Sequence, residues 1–143
     1  MCEFINMANK GKIYLIGDGN NKINPIHGAD LAEVCVNAVK NSQKEIPIGG
    51  PKTYTYKEAA ELAFSILNKP PRIKNISPKL IKPFIKMIRP FSKHYYILAG
   101  FLISLMLYDF NTTKTGSRTL EDFYKEFSKH LMHDKKKEML TKK

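Results

Sequence analysis

The chain has 143 residues, with 24 lysines and arginines against 13 acids, a formal charge of +11 and 43% apolar residues. That apolar share is near the globular average, which excludes wholesale disorder, and the length suits one domain with a real core. Cys2 and Cys35 form no CxxC or Cys/His zinc spacing. They fit a reducing compartment, with Cys35 read as a small apolar core residue.

The opening MCEFINMANKGK lacks the apolar run of a secretory signal, and the chain is read as cytoplasmic. KIYLIGD (12–18) is the first predicted strand. Its apolar residues are continuous rather than alternating, which suits a strand covered on both faces in a parallel sheet. Gly17-Asp18-Gly19 fails as a dinucleotide fingerprint, because that turn needs a third glycine and an immediate helix. Six residues from Asn20 to Pro25 intervene before the helical pattern begins, so a plain turn is predicted.

The next stretch, INPIHGADLAEV, is a corner leading into a helix. Pro25 biases Asn24 towards an extended conformation, Gly28 loosens the corner, and Asp30 caps or favours the helix start. Beyond it, Leu31, Val34, Cys35, Ala38 and Val39 fall on one stripe, the expected buried face. EIPIGG (45–50) reads as a brief strand ending in Gly-Gly-Pro. A helix then opens with Thr55 as N-cap and Glu58 three residues on, a capping box, and Pro70-Pro71 stops it. RIKNIS (72–77) is the third expected strand.

No acid occurs between Glu61 and Asp109, and from Lys79 to Lys93 basic residues recur every three or four positions. The sequence reading takes 79–93 as a surface helix that covers the core, kinked or divided at Pro83 and Pro90. Contact with an anionic membrane surface is its alternative. Nucleic-acid binding is not expected, since no recognised module accompanies the charge. YYILAGFLISLMLY (95–108) is shorter than the roughly 18 residues of a span and is expected to be a buried helix. TLEDFYKEFSKHLMH forms a final amphipathic helix with Leu120, Phe123, Tyr124 and Phe127 inward. His130 and His133 are read as helix-end residues rather than metal ligands. Residues 1–133 form one region, and 134–143 are expected to be a loose basic tail. The order of strands and helices argues α/β, with strands that read as additions to a sheet lying elsewhere.

KIYLIGDGNNKINPIHGADLAEVCVNAV, followed by IPIGGPKTYTYKEAAELAFSILNKPPRI, resembles the C-terminal half of atypical or extended short-chain dehydrogenase/reductases, above all the NmrA-like NAD(P)-binding oxidoreductases. LMLYDFNTTKTGSRTLEDFYKEF is similar to the closing segment of bacterial members. The resemblance runs from about Phe4 to Phe127. It implies the C-terminal portion of a Rossmann-like fold, with short, mostly parallel strands, about five helices and the nucleotide-binding half absent.

Members of that family carry a glycine-rich loop and a Tyr-x-x-x-Lys pair. Here none of the seven tyrosines is followed by lysine at the fourth position. The resemblance therefore implies the substrate-side part of an NAD(P)-dependent parent, inactive alone, with no cofactor-binding, catalytic or metal residue of its own. In related reductases the 24–30 corner faces the substrate cleft, which makes Asn24 and His27 candidate contacts for a small-molecule substrate. A separate chain carrying the Rossmann half is an expected partner. Self-association through unpaired strands at 13–16 and 46–48 is the other. A non-catalytic NmrA-like binding or regulatory module is the alternative function.

Overall fold

A computed structural model describes residues 1–40, 45–88, 90 and 92–141, with the side chains at 82, 84, 85, 88 and 132–141 left aside. The chain opens with a helix, α1 (Cys2–Asn9), where the sequence reading assigns no element. Phe4, Ile5 and Ala8 recur at helical spacing and all three are buried, so tertiary packing sustains a helix of only eight residues.

Two strands follow, β1 (Ile13–Ile16) and β2 (Lys22–Ile23), then α2 (Gly28–Lys40). The short β3 (Tyr54–Thr55) leads into α3 (Tyr56–Ile66), and β4 (Ile73–Ile76) follows. β1 pairs with β4 in parallel, from Ile13 against Ile73 to Ile16 against Ile76. β2 pairs with β3 antiparallel, Lys22 against Thr55 and Ile23 against Tyr54. β1 therefore finds one partner within the chain, and its other edge has no strand beside it among the described residues. Its two faces are covered unequally: Ile13 and Leu15 are buried on one, while on the other Ile16 is half-buried and Tyr14 is exposed beneath the Lys12 ammonium, 4.9 Å from its ring centre.

The strand expected at 45–50 does not form. Gly49 makes a single isolated bridge to Lys114. Its amide bonds the Thr115 hydroxyl and Gly50's bonds the Asn24 carbonyl, so these donors go to loops rather than to a ladder. Pro51 then offers no donor at all.

The core lies where α1, β1, α3 and the last helix, α6 (Leu120–Thr141), meet. Ala59, Ala60 and Ala63 let α3 approach closely, and Phe64 fills the space beside them. Burial of one such phenylalanine is worth about 2–3 kcal/mol. α3 begins as expected, with the Thr55 hydroxyl accepting from Glu58 N at 3.1 Å and Glu58 Oε2 accepting from Thr55 N at 2.8 Å. Tyr124 of α6 is fully buried, and burial pushes its hydroxyl far above the usual phenol range. Helical backbone continues past Asp134 to Thr141, into the segment for which the sequence reading expects a loose tail.

Three apolar surfaces depart from expectation. On α2, Leu31, Cys35 and Val39 are exposed, Val39 at 88%, while Val34 and Ala38 of the same predicted stripe are half-buried, so the face read as buried is only partly covered. On α4 (Pro78–Ile88), which carries Pro83 within the helix and ends two residues before Pro90, Leu80 and Met87 are exposed. α5 (Lys93–Leu107) is apolar on every side, yet none of its residues is buried. Apolarity alone reported the composition of α5, not the presence of an element to cover it.

Candidate functional site

The corner that precedes α2 is held by two distant segments, Gly49-Gly50 and residues 109–118. Asn24 is 6% exposed and fully engaged. Its Nδ2 donates to the Thr112 carbonyl at 2.7 Å and more weakly to the Gly50 carbonyl at 3.5 Å. Its Oδ1 accepts the Thr112 amide at 3.0 Å. The Asn24 carbonyl in turn accepts Gly50 N at 2.9 Å, and its amide donates to the Phe110 carbonyl at 3.3 Å. One side chain and its backbone thus tie three strips of chain together.

The two glycines are required by that closeness. A β-carbon on Gly50 would stand 2.0 Å from the Pro25 carbonyl oxygen, and one on Gly49 would stand 2.1 Å from Asn24 Nδ2. Gly28 is different: it begins α2, and a β-carbon there would meet nothing within 4 Å. The corner needs its glycines at 49 and 50, whereas neither a close contact nor a positive φ requires one at 28.

Asp30 lies inside α2 rather than at its cap, and it is 4% exposed. Its Oδ2 accepts Ser117 N at 2.7 Å and Arg118 N at 2.8 Å, and its Oδ1 pairs with the Arg118 guanidinium. The Arg118 amide, ahead of the Ser117 amide and the guanidinium, holds the Asp30 carboxyl below its usual range against the opposing pull of desolvation. Gly116 is again small by necessity, since a β-carbon would come 2.8 Å from Asp30 Oδ2. Asp30 therefore anchors the approach to α6, a role the helix-start reading missed.

His27 is half-buried, its ring edge-on to Phe123 with 6.0 Å between centres. Its Nδ1 accepts Ala29 N at 3.2 Å, so the neutral ring carries its proton on Nε2. It lines two shallow clefts. One, of about 230 Å³, lies among Pro25, Ile26, Thr119, Leu120 and Phe123. The other, of about 200 Å³, lies among Phe123, Glu126, Phe127 and His130. Asn24 and Pro25 border a third, of about 470 Å³, with Ile23, Ile48, Phe110 and Thr112. Asn24 and His27 thus stand on neighbouring clefts rather than in one, and the asparagine has its amide committed to the walls.

The far end of α5 is tied to the same region. Tyr56 donates its hydroxyl to the Leu105 carbonyl at 2.5 Å, and burial raises its pKa. Asn21 Nδ2 donates to the Met106 carbonyl at 2.8 Å, and Asp109 Oδ1 accepts Lys22 N at 2.7 Å. The Gly17-Asp18-Gly19 turn does not suit a dinucleotide. Gly19 packs towards Leu15, its carbonyl accepts Lys57 N at 3.0 Å, and the Asp18 carboxylate is turned to Asn20. That carboxylate would repel a pyrophosphate. No group of three or more His, Cys, Asp or Glu side chains suited to a metal occurs among the described residues.

Sequence reasoning missed Thr112, Ser117 and Arg118, whose segment TTKTGSR it passed over as a connection. The sole local signal was Gly116 beside polar residues. No family model matches the chain, and no curated protein does. Among solved structures, the chain is similar to dTDP-glucose 4,6-dehydratase of Bacillus anthracis, solved in complex with NAD. The TM-score is 0.57 at 18% identity, over 87% of this chain and 36% of the dehydratase. The chain thus spans about a third of that enzyme's length. At such identity the likeness is one of fold alone: α/β and partial Rossmann-like, with six helices in the described residues where the sequence suggested about five.

Proposed function

We propose that this chain is the substrate-side part of an NAD(P)-dependent oxidoreductase of the short-chain dehydrogenase/reductase type, NmrA-like in kind. In this reading the glycine-rich loop and the Tyr-x-x-x-Lys pair lie outside these 143 residues, in the same polypeptide or in a partner chain. The observation that carries it is the likeness of fold to a dehydratase solved with NAD. The sequence supports it, because the chain has the corner block and the Gly-Gly-Pro turn of that resemblance without the cofactor elements.

His27 is the proposed substrate contact, lining two clefts with its Nδ1 engaged by Ala29 N and its ring edge-on to Phe123. Asn24 contributes at the border of a third, bonding Gly50 behind it and holding Thr112 in that cleft's wall. The substrate is a small organic molecule, and NAD(P) binds in the part supplied from outside.

The coding sequence immediately upstream of Met1 tests this. A segment with G-x-x-G-x-x-G and Tyr-x-x-x-Lys is expected there, in frame or as a neighbouring reading frame. An upstream region with neither would overturn the enzymatic reading in favour of a non-catalytic NmrA-like binding module.

A further inference from the structure

α4 and α5 pack on each other, and α5 leans on β1, yet much of their apolar surface is uncovered. On α5, Tyr95, Ile97, Leu98, Phe101 and Leu102 are all exposed, Phe101 at 58%. At about 100° per residue these five fall within roughly 160° of the helix circumference. Tyr96, Gly100, Ile103 and Leu107 lie half-buried on the other side. On α4, Leu80 and Met87 share one face and are each 64% exposed. Lys79 and Lys86, one residue before each, are exposed on the adjoining strip.

Charge decides among the occupants this surface would take. Between Glu61 and Asp109 the chain carries eight lysines and arginines and no acid. A second copy would bring the same positive charge against it. A membrane span is excluded for α5, whose 15 residues extend about 22 Å against a hydrocarbon core of about 30 Å. No helix among the described residues is long and apolar enough to cross a membrane. An anionic lipid surface satisfies both features, taking the apolar face into the acyl boundary and the lysines against its headgroups. Tyr95 and Tyr108, both exposed and at opposite ends of α5, suit the headgroup level.

We propose that the exposed faces of α4 and α5 dock this protein on an anionic bilayer surface, with α5 lying in the plane of the interface. The proposal is independent of the enzymatic reading, because none of the residues that form the patch belongs to the Asn24–Arg118 corner.

The full chain is tested by co-sedimentation with phosphatidylcholine vesicles, with and without phosphatidylglycerol. Sedimentation with the anionic vesicles alone, weakening as salt is added, is expected. Each lysine near the surface is worth about fivefold in partition, so Lys79→Gln with Lys86→Gln lowers it roughly 25-fold. The chain has no tryptophan, so Phe101→Trp supplies a single reporter whose emission shifts to the blue on anionic vesicles. Circular dichroism of each variant guards against misfolding, and if Phe101→Trp fails to fold, the lysine pair and the salt dependence decide. Three outcomes overturn the proposal. They are no sedimentation with either vesicle, equal sedimentation with both, or a dimer in light scattering that Phe101→Ser dissociates without any vesicle binding.

Discussion

The carboxylate of Asp30 accepts the backbone amide of Arg118 at 2.8 Å, joining the first turn of α2 to the approach to α6 across 88 positions of sequence. Three further bonds, from the Ser117 amide, the Ser117 hydroxyl and the Arg118 guanidinium, converge on the same group. Asp30→Ala leaves all four donors without their acceptor and lowers the thermal midpoint more than loss of an exposed helix cap does. Because the folded carboxyl titrates below its ordinary 3.8, its contribution is fully present above that pH. It is lost as pH falls through the folded value. Denaturant melts across an acid series therefore show a shallower acid limb for Asp30→Asn than for the natural chain. An unchanged limb would remove Asp30 from the account of acid stability.

Gly50 and Gly28 make opposite predictions from the same substitution. Gly50→Ala drives a β-carbon into the Pro25 carbonyl, a backbone atom that cannot rotate away, and costs about 3 kcal/mol or more. Gly28→Ala enters open space in the first turn of a helix and is neutral or stabilising by up to about 1 kcal/mol. Equilibrium urea unfolding separates the two. Similar costs for both would mean that the close approach at Gly50 is wrong.

Asn24→Ala removes the partner of the Thr112 amide and of the Thr112 and Gly50 carbonyls at a buried position. The expected cost is about 2–4 kcal/mol, since buried groups are left unsatisfied. Amide hydrogen exchange gives the more specific readout, with protection lost at Thr112 before the β1–β4 pair opens. Uniform loss of protection would argue that the clamp is no local device.

Legibility in the sequence followed range. The Thr55–Glu58 capping box, β4 and the inward residues Leu120 and Tyr124 rest on spacings of three or four residues or on one short run, and each is found in the structure. α1 was equally local, in Phe4, Ile5 and Ala8, but its brevity hid it. Asp30 looked like an ordinary helix-start acid because its true partners sit 87 and 88 positions away, beyond any local pattern. Residues 45–50 looked like a strand because nothing in IPIGG states that its amides serve Asn24 and Thr115. α5 read as buried because an apolar run declares what it avoids, water, and not what covers it.

The capping box offers the cleanest calibration. Thr55→Ala costs about 1 kcal/mol, and Glu58→Ala less. In a double-mutant cycle the pair couples, because each side chain bonds the other residue's amide. Strict additivity would show that the two reciprocal bonds form independently, and only costless single variants would show that they contribute nothing.

In the proposed function, the groups that move hydride and proton lie outside this chain. The direct measurement is oxidation of NADH and of NADPH, followed by absorbance, with the purified 143-residue protein and a panel of small carbonyl substrates. The account predicts a rate no greater than that of buffer with either cofactor. Substrate-dependent turnover by the isolated chain, with single-site saturation in the cofactor, would contradict it.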